Sequence, residues 1–142
     1  MSDDLKAIPR RLIEEVYNQG KLDVVYEVIA AEYVGHDPSL PEDIAGAAAE
    51  RELAAAYRVA FPDLSITIED QVAEGDRVVT RWTARGTHIG DLWRIPATGK
   101  EIRVSGTSVD RIQNGRILES WANWDSLGLM QQLGVLPALA GA

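Results

Sequence analysis

The segment Ile117-Leu118-Glu119-Ser120-Trp121-Ala122-Asn123-Trp124-Asp125 carries the residue types best suited to chemistry in this chain. Read as a strand with a period of two, Ile117, Glu119, Trp121, Asn123 and Asp125 share one face. An indole, an amide and a carboxyl in succession make a pocket wall. Trp121 would exclude water, Asn123 would orient a polar group, and Asp125 would move a proton. An aspartate in water titrates near ~3.9, low for a base at neutral pH. Desolvation beside an indole raises that value by up to about 3–5 pH units when burial is complete. The competing role for Asp125 is to cap the helical turns that follow it, a frequent task for aspartate.

Further candidates lie elsewhere. His36 and Asp37 precede Pro38 in an irregular connection, where polar site residues are common. His36 could orient a carbonyl or share a proton with Asp125, whereas Asp37 reads as a turn cap. His88 ends a strand and opens a loop running to about Lys100, with Trp93 inside it. That loop could close over a ligand, or Trp93 could simply pack it down. Trp82 is a mid-strand indole that belongs to a core or to a pocket wall. Arg111 reads as a solvent-facing charge, or as an inward cation that holds an anionic group.

Composition removes several alternatives. The 142 residues suit a single domain, 1–142, with 46% apolar and 25% charged residues. A net charge of −8 and fourteen scattered Lys and Arg residues argue against nucleic acid as a partner. With no cysteine and two histidines, thiolate chemistry is excluded and a His-rich metal centre is not expected. No stretch reaches the roughly twenty apolar residues of a membrane span. The expectation is a cytoplasmic protein without metal or cofactor that takes a small apolar or aromatic ligand.

The elements that must position these residues fall in two blocks. Leu5, Ile8, Leu12 and Val16 recur at helical spacing before Gly20, with Pro9 tolerable only in a first turn. Leu22, Val25, Tyr26 and Ile29 predict a second helix. Tyr33 to Pro41 breaks the pattern, and a third helix runs from about Asp43 to Ala60. After Pro62, Leu64, Ile66 and Ile68 alternate with polar residues up to a Glu74-Gly75-Asp76 turn. Val78, Thr80, Trp82 and Ala84 form the next strand. Ile102, Val104 and Gly106 open a third, and Gln113-Asn114-Gly115 marks a hairpin into the last. Leu127 to Leu133 predicts one or two helical turns. Helices first and a meander after them predict an α+β fold, with helices packed on a curved, mainly antiparallel sheet around a pocket. Apolar residues on both sheet faces predict a homodimer or higher oligomer.

The chain also resembles the SnoaL-like polyketide cyclase (ester cyclase) family. The resemblance rests on Tyr33-Val34-Gly35-His36-Asp37-Pro38, Ala60 to Leu64, Ala73 to Val78 and Gly86-Thr87-His88. It continues through Ile95 to Lys100, Arg111 to Ile117, Glu119-x-Trp121, and Asp125 with Gln132-Leu133-Gly134. It implies a cone-shaped α+β barrel of the nuclear transport factor 2 type. It also implies ring closure by intramolecular aldol condensation without cofactor, with Asp125 matching the family's acid/base aspartate. The histidine and amide that such cyclases carry on the preceding strand are absent from Thr107–Arg111, and Asp91–Arg94 would reshape the mouth.

Two other functions remain open on sequence. One is epoxide opening or cofactor-free hydroxylation; epoxide opening would require an Asp–Arg–Asp arrangement around a water, which Asp110, Arg111 and Asp125 could supply only if Arg111 and one partner turned inward. A binding protein without turnover would use Asp125 only as a cap or an acceptor.

Overall fold

The computed structural model describes residues 2–137. Helix α1 (Ser2–Arg11) runs directly into a wider π-helical stretch, Leu12–Asn18. Pro9 is buried inside α1 rather than in its first turn. Its missing N–H removes one backbone bond, and the looser winding begins three residues later. The expected second helix is cut short. A 3-10 turn at Leu22–Val24 and α2 (Val25–Val28) give way at Ile29 to strand β1 (Ile29–His36). This strand was invisible to periodicity because its buried positions, Ile29, Ala30, Tyr33 and Gly35, do not alternate.

Strand β2 (Ile44–Ala45) precedes α3 (Ala47–Ala60), which starts later than the sequence suggests because Gly46, at φ 91, turns the chain first. The meander follows as β3 (Ser65–Glu74), β4 (Arg77–Thr87), β5 (Glu101–Gln113) and β6 (Arg116–Trp124), and α4 (Ser126–Gln132) closes it. The predicted hairpin is present: Asn114 and Gly115 have φ values of 54 and 76, the double positive that a two-residue turn of this hand needs.

The six strands form one sheet in the order β2-β1-β6-β5-β4-β3. Every pairing is antiparallel except β1 with β6, so the α+β expectation holds with a mixed sheet that is open rather than a closed barrel. One core cluster joins Val16, Val25, Val28 and Tyr33 to Val78 and Ile117. A second joins Phe61, Leu64, Leu92, Ile102, Leu129 and Leu133. Helix α1 lies on β3 and β4, and α3 lies on β1, which leaves a space between the helices and the sheet. Among the described residues no helix is long and apolar enough to cross a membrane.

One irregularity decides what faces that space. Pairing of β5 with β6 jumps from Arg111↔Glu119 to Ile112↔Ile117, so Leu118 is an extra residue. A bulge of this kind reverses inside and outside along the strand. Ile117 is fully buried, yet beyond the bulge the inward residues are Ser120, Ala122 and Trp124.

Candidate active site

The space is a partly enclosed cavity of about 170 Å³. Its sheet wall is built from inward rows of three neighbouring strands. Thr80, Trp82 and Ala84 come from β4, Val104, Ser108 and Asp110 from β5, and Ser120, Ala122 and Trp124 from β6. The helices contribute Tyr17, Glu50, Leu53 and Tyr57. Most of the lining is apolar, so each polar group in it has a strong claim to a role.

Gly106 sets the shape of the wall. A methyl group there would lie 2.4 Å from the Trp82 ring and 2.7 Å from Trp124 Cβ, so only glycine lets the two indoles flank this position. Each indole N–H is fixed. Trp82 Nε1 donates to Ser108 Oγ at 3.1 Å, and Trp124 Nε1 donates to Asp37 Oδ2 at 3.1 Å. The other Asp37 oxygen accepts from the backbone and hydroxyl of Ser39, so this residue both caps a turn and lines the cavity.

Two carboxyl groups lie deeper. Asp110 is 6% exposed and stands across the ladder from Ser120, whose hydroxyl is hydrogen bonded to that of Tyr33. Burial, followed by the nearby Glu50 charge, pushes Asp110 up to about 7. Glu50 is 5% exposed and accepts from the Tyr17 hydroxyl at 3.0 Å on Oε1, while its buried Oε2 has no partner. Burial raises Glu50 to about 7 against the lowering effect of Tyr17. Burial is also the main cause that raises Tyr17, Tyr33 and Tyr57, so all three phenols stay protonated at neutral pH.

The structure redistributes the residues proposed from sequence. Trp82 lines the cavity, as one of its two readings requires. Asp125 does not line it. It is exposed, and its Oδ1 accepts from the Gly128 N–H at 2.9 Å as the cap of α4. Trp121 and Asn123 are on the opposite side of the sheet, because the Leu118 bulge inverts the face inferred from Ile117, and Arg111 faces the same way because it alternates with inward Asp110 on β5. His36 touches the cavity rim, but its ring is engaged outward. It stacks on Trp121 with centroids 5.6 Å apart, and its Nε2 lies 2.7 Å from Glu119. The Glu119 bond raises His36, and the same bond followed by that from Arg111 lowers Glu119. His36 and Asp125 are therefore not brought together.

His88 is fully buried against Phe61, with the Thr98 N–H at 3.2 Å from its Nδ1, so it pins its loop rather than lining the rim. Trp93 is 56% exposed and meets Tyr57 edge-on from outside the cavity. The Asp–Arg–Asp arrangement does not form, since Asp110 points inward while Arg111 bonds Glu119 on the outer face.

Sequence reading missed Asp110 as an inward group, and it missed Glu50, Tyr17, Tyr33 and the serines. A signal existed for both acids. Asp110 shares the even-numbered row of Ile102, Val104 and Ile112, and Glu50 shares a helix face with Leu53, Ala54 and Tyr57. A carboxyl on an apolar row is the pattern to look for.

Among the described residues no group of three or more His, Asp or Glu side chains could hold a metal ion. The model of the SnoaL-like polyketide cyclase family matches residues 7–133. Aklanonic acid methyl ester cyclase DnrD of Streptomyces peucetius is 35% identical over 132 residues, covering 88% of this chain and 87% of its own. Aklanonic acid methyl ester cyclase DauD of Streptomyces sp. (strain C5) is 34% identical, covering 88% and 78%. Among solved structures, TsrD from Streptomyces laurentii superposes with a TM-score of 0.84 at 29% identity, covering 94% of this chain and 97% of its own.

Proposed function

The chain belongs to the SnoaL-like polyketide cyclase family, and from that premise we propose that it closes a ring in a small, polyketide-like carbonyl compound held in the cavity. The reaction is an intramolecular aldol-type closure that needs no metal or organic cofactor. Ionised Asp110 takes a proton from a carbon flanked by two carbonyls. The resulting enolate carbon bonds to a ketone carbon of the same molecule, and the carbonyl electron pair moves to oxygen. That alkoxide recovers the proton from Asp110, so the product is an isomer of the substrate.

The observation that carries this reading is the Asp110 carboxyl, buried in a mostly apolar cavity opposite Ser120 on the sheet wall, with its pKa near neutrality. Such a group can both accept and return a proton at pH 7, which an exposed aspartate does poorly. The hydroxyls of Ser108, Ser120 and Tyr33 supply hydrogen bonds for charge that develops on oxygen. The indoles of Trp82 and Trp124 press a flexible chain into a compact shape, which supplies part of the rate through proximity.

The test uses purified protein, with and without EDTA, and a set of β-keto esters that carry a tethered ketone. Product is followed by chromatography and mass spectrometry. The expected result is an isomeric ring-closed product, formed equally with EDTA present and lost in Asp110→Asn. Closure by the Asp110→Asn variant at the parent rate would refute the assignment.

A further inference from the structure

Among the described residues, the cavity lining contains a fully buried acceptor that the protein does not satisfy. Glu50 Oε2 is buried and has no partner, while its twin Oε1 already receives the Tyr17 hydroxyl. A buried carboxyl oxygen without a donor is costly once ionised; Glu50 relieves that cost by holding a proton up to about pH 7, and above that only a donor from outside the protein can supply the missing bond. The groups around it do not supply one. Among the described residues no donor lies within hydrogen-bond distance of it, and the indole N–H groups of Trp82 and Trp124 are given to Ser108 and Asp37. Glu50 sits on α3 with its carboxyl in the cavity lining, so the open acceptor belongs to the cavity and not to a sealed core.

Volume limits what can reach it. The cavity is about 170 Å³, close to the ~150 Å³ apolar cavity that takes up benzene. One ring can enter fully, and the rest of a larger molecule must extend toward the mouth.

We propose that Glu50 Oε2 is a specificity site that binds a hydroxyl donor on the leading ring of the ligand and so fixes the end by which the ligand enters the cavity. The proposal rests on the cavity being the substrate site, and it is independent of which residue moves the proton.

Inert probes test it without any turnover. 1-Naphthol, 1-methoxynaphthalene and naphthalene are titrated against the intact protein at pH 8.5, where Glu50 is ionised, with tryptophan fluorescence as the readout. The parent should prefer 1-naphthol over 1-methoxynaphthalene by about 10- to 100-fold, the value of a hydrogen bond to a charged acceptor. Glu50→Gln leaves Tyr17 an acceptor and can turn an amide N–H toward the ligand. The preference should then vanish or reverse, while naphthalene affinity stays the same. The double variant Tyr17→Phe/Glu50→Leu removes both partners together and gives the same reading if the single variant folds poorly. A preference that survives in both variants, equal binding of all three probes by the parent, or no saturable binding would each overturn the proposal. If the preference behaves as expected while no keto ester is cyclised, the binding site stands and only the ring-closing reading fails.

Discussion

Asp110 and Ser120 stand opposite each other across the β5–β6 ladder, both buried and both turned into the cavity. That pairing brings an acid and a hydroxyl, itself tied to Tyr33, onto one patch of wall. Replacing Asp110 by Asn keeps the size of the side chain and removes its proton chemistry. Turnover should fall by roughly two to four orders of magnitude, the usual contribution of general acid–base catalysis. The rate is measured on whichever keto ester the parent cyclises, and far-ultraviolet circular dichroism checks that the fold is kept.

Asp125 should behave in the opposite way. Its carboxylate caps α4, and Leu129 and Leu133 of that segment and its C-terminal end are buried in the second core. Asp125→Ala should cost about 0.5–2 kcal/mol in urea unfolding, the value of a lost N-cap. Its turnover should stay within about threefold of the parent, because an exposed cap touches no reacting atom. Turnover that collapsed in this variant while Asp110→Asn remained active would return the acid/base role to Asp125.

These two outcomes mark where sequence reading succeeded and where it failed. The meander was legible because Gly75, Asn114 and Gly115 mark the turns and apolar residues alternate between them. Strand β1 was not legible, because it is buried without alternation and follows a convincing helical spacing up to Ile29. The face of β6 was read with inverted parity. Ile117 is a true core residue, but the Leu118 bulge has no signature in its own sequence, so every residue after it was assigned to the wrong side. The family resemblance identified the family and the fold, but it could not correct that parity.

Stability should fall as pH rises through the neutral range. Asp110 and Glu50 have folded pKa values of about 7, above their ordinary 3.8 and 4.5, so the native state holds more protons than the unfolded chain between about pH 4 and 7. The unfolding free energy therefore decreases with pH across that window. Tyr17, Tyr33 and Asp37 face the same cavity, and the phenols stay neutral throughout. His36, also raised, loses its contribution in the same direction above its ordinary 6.5. Urea unfolding at intervals from pH 4.5 to 8 tests this. The double variant Asp110→Asn/Glu50→Gln should flatten most of the slope, and an unchanged slope would contradict the burial of the pair.

Gly106→Ala probes the wall itself. Its new methyl would meet the Trp82 ring and Trp124 Cβ, neither of which can retreat without moving the cavity wall. A loss of about 1–3 kcal/mol is expected for such overpacking. A shifted tryptophan emission and weaker binding of 1-naphthol should accompany it. Parent-like stability would mean that the indoles are held less tightly than the structure indicates.

The single unpaired residue at Leu118 works as a reversing switch for half of the chemical surface. Removing it would turn Glu119, Trp121 and Asn123 toward the ligand and send Ser120, Ala122 and Trp124 outward. The first hydrophobic cluster would keep Ile117, which lies before the switch, whereas the second would lose the packing of Trp124. One-residue insertions or losses along β6 therefore give this architecture a way to trade one set of lining groups for another in a single step, without passing through a series of point substitutions.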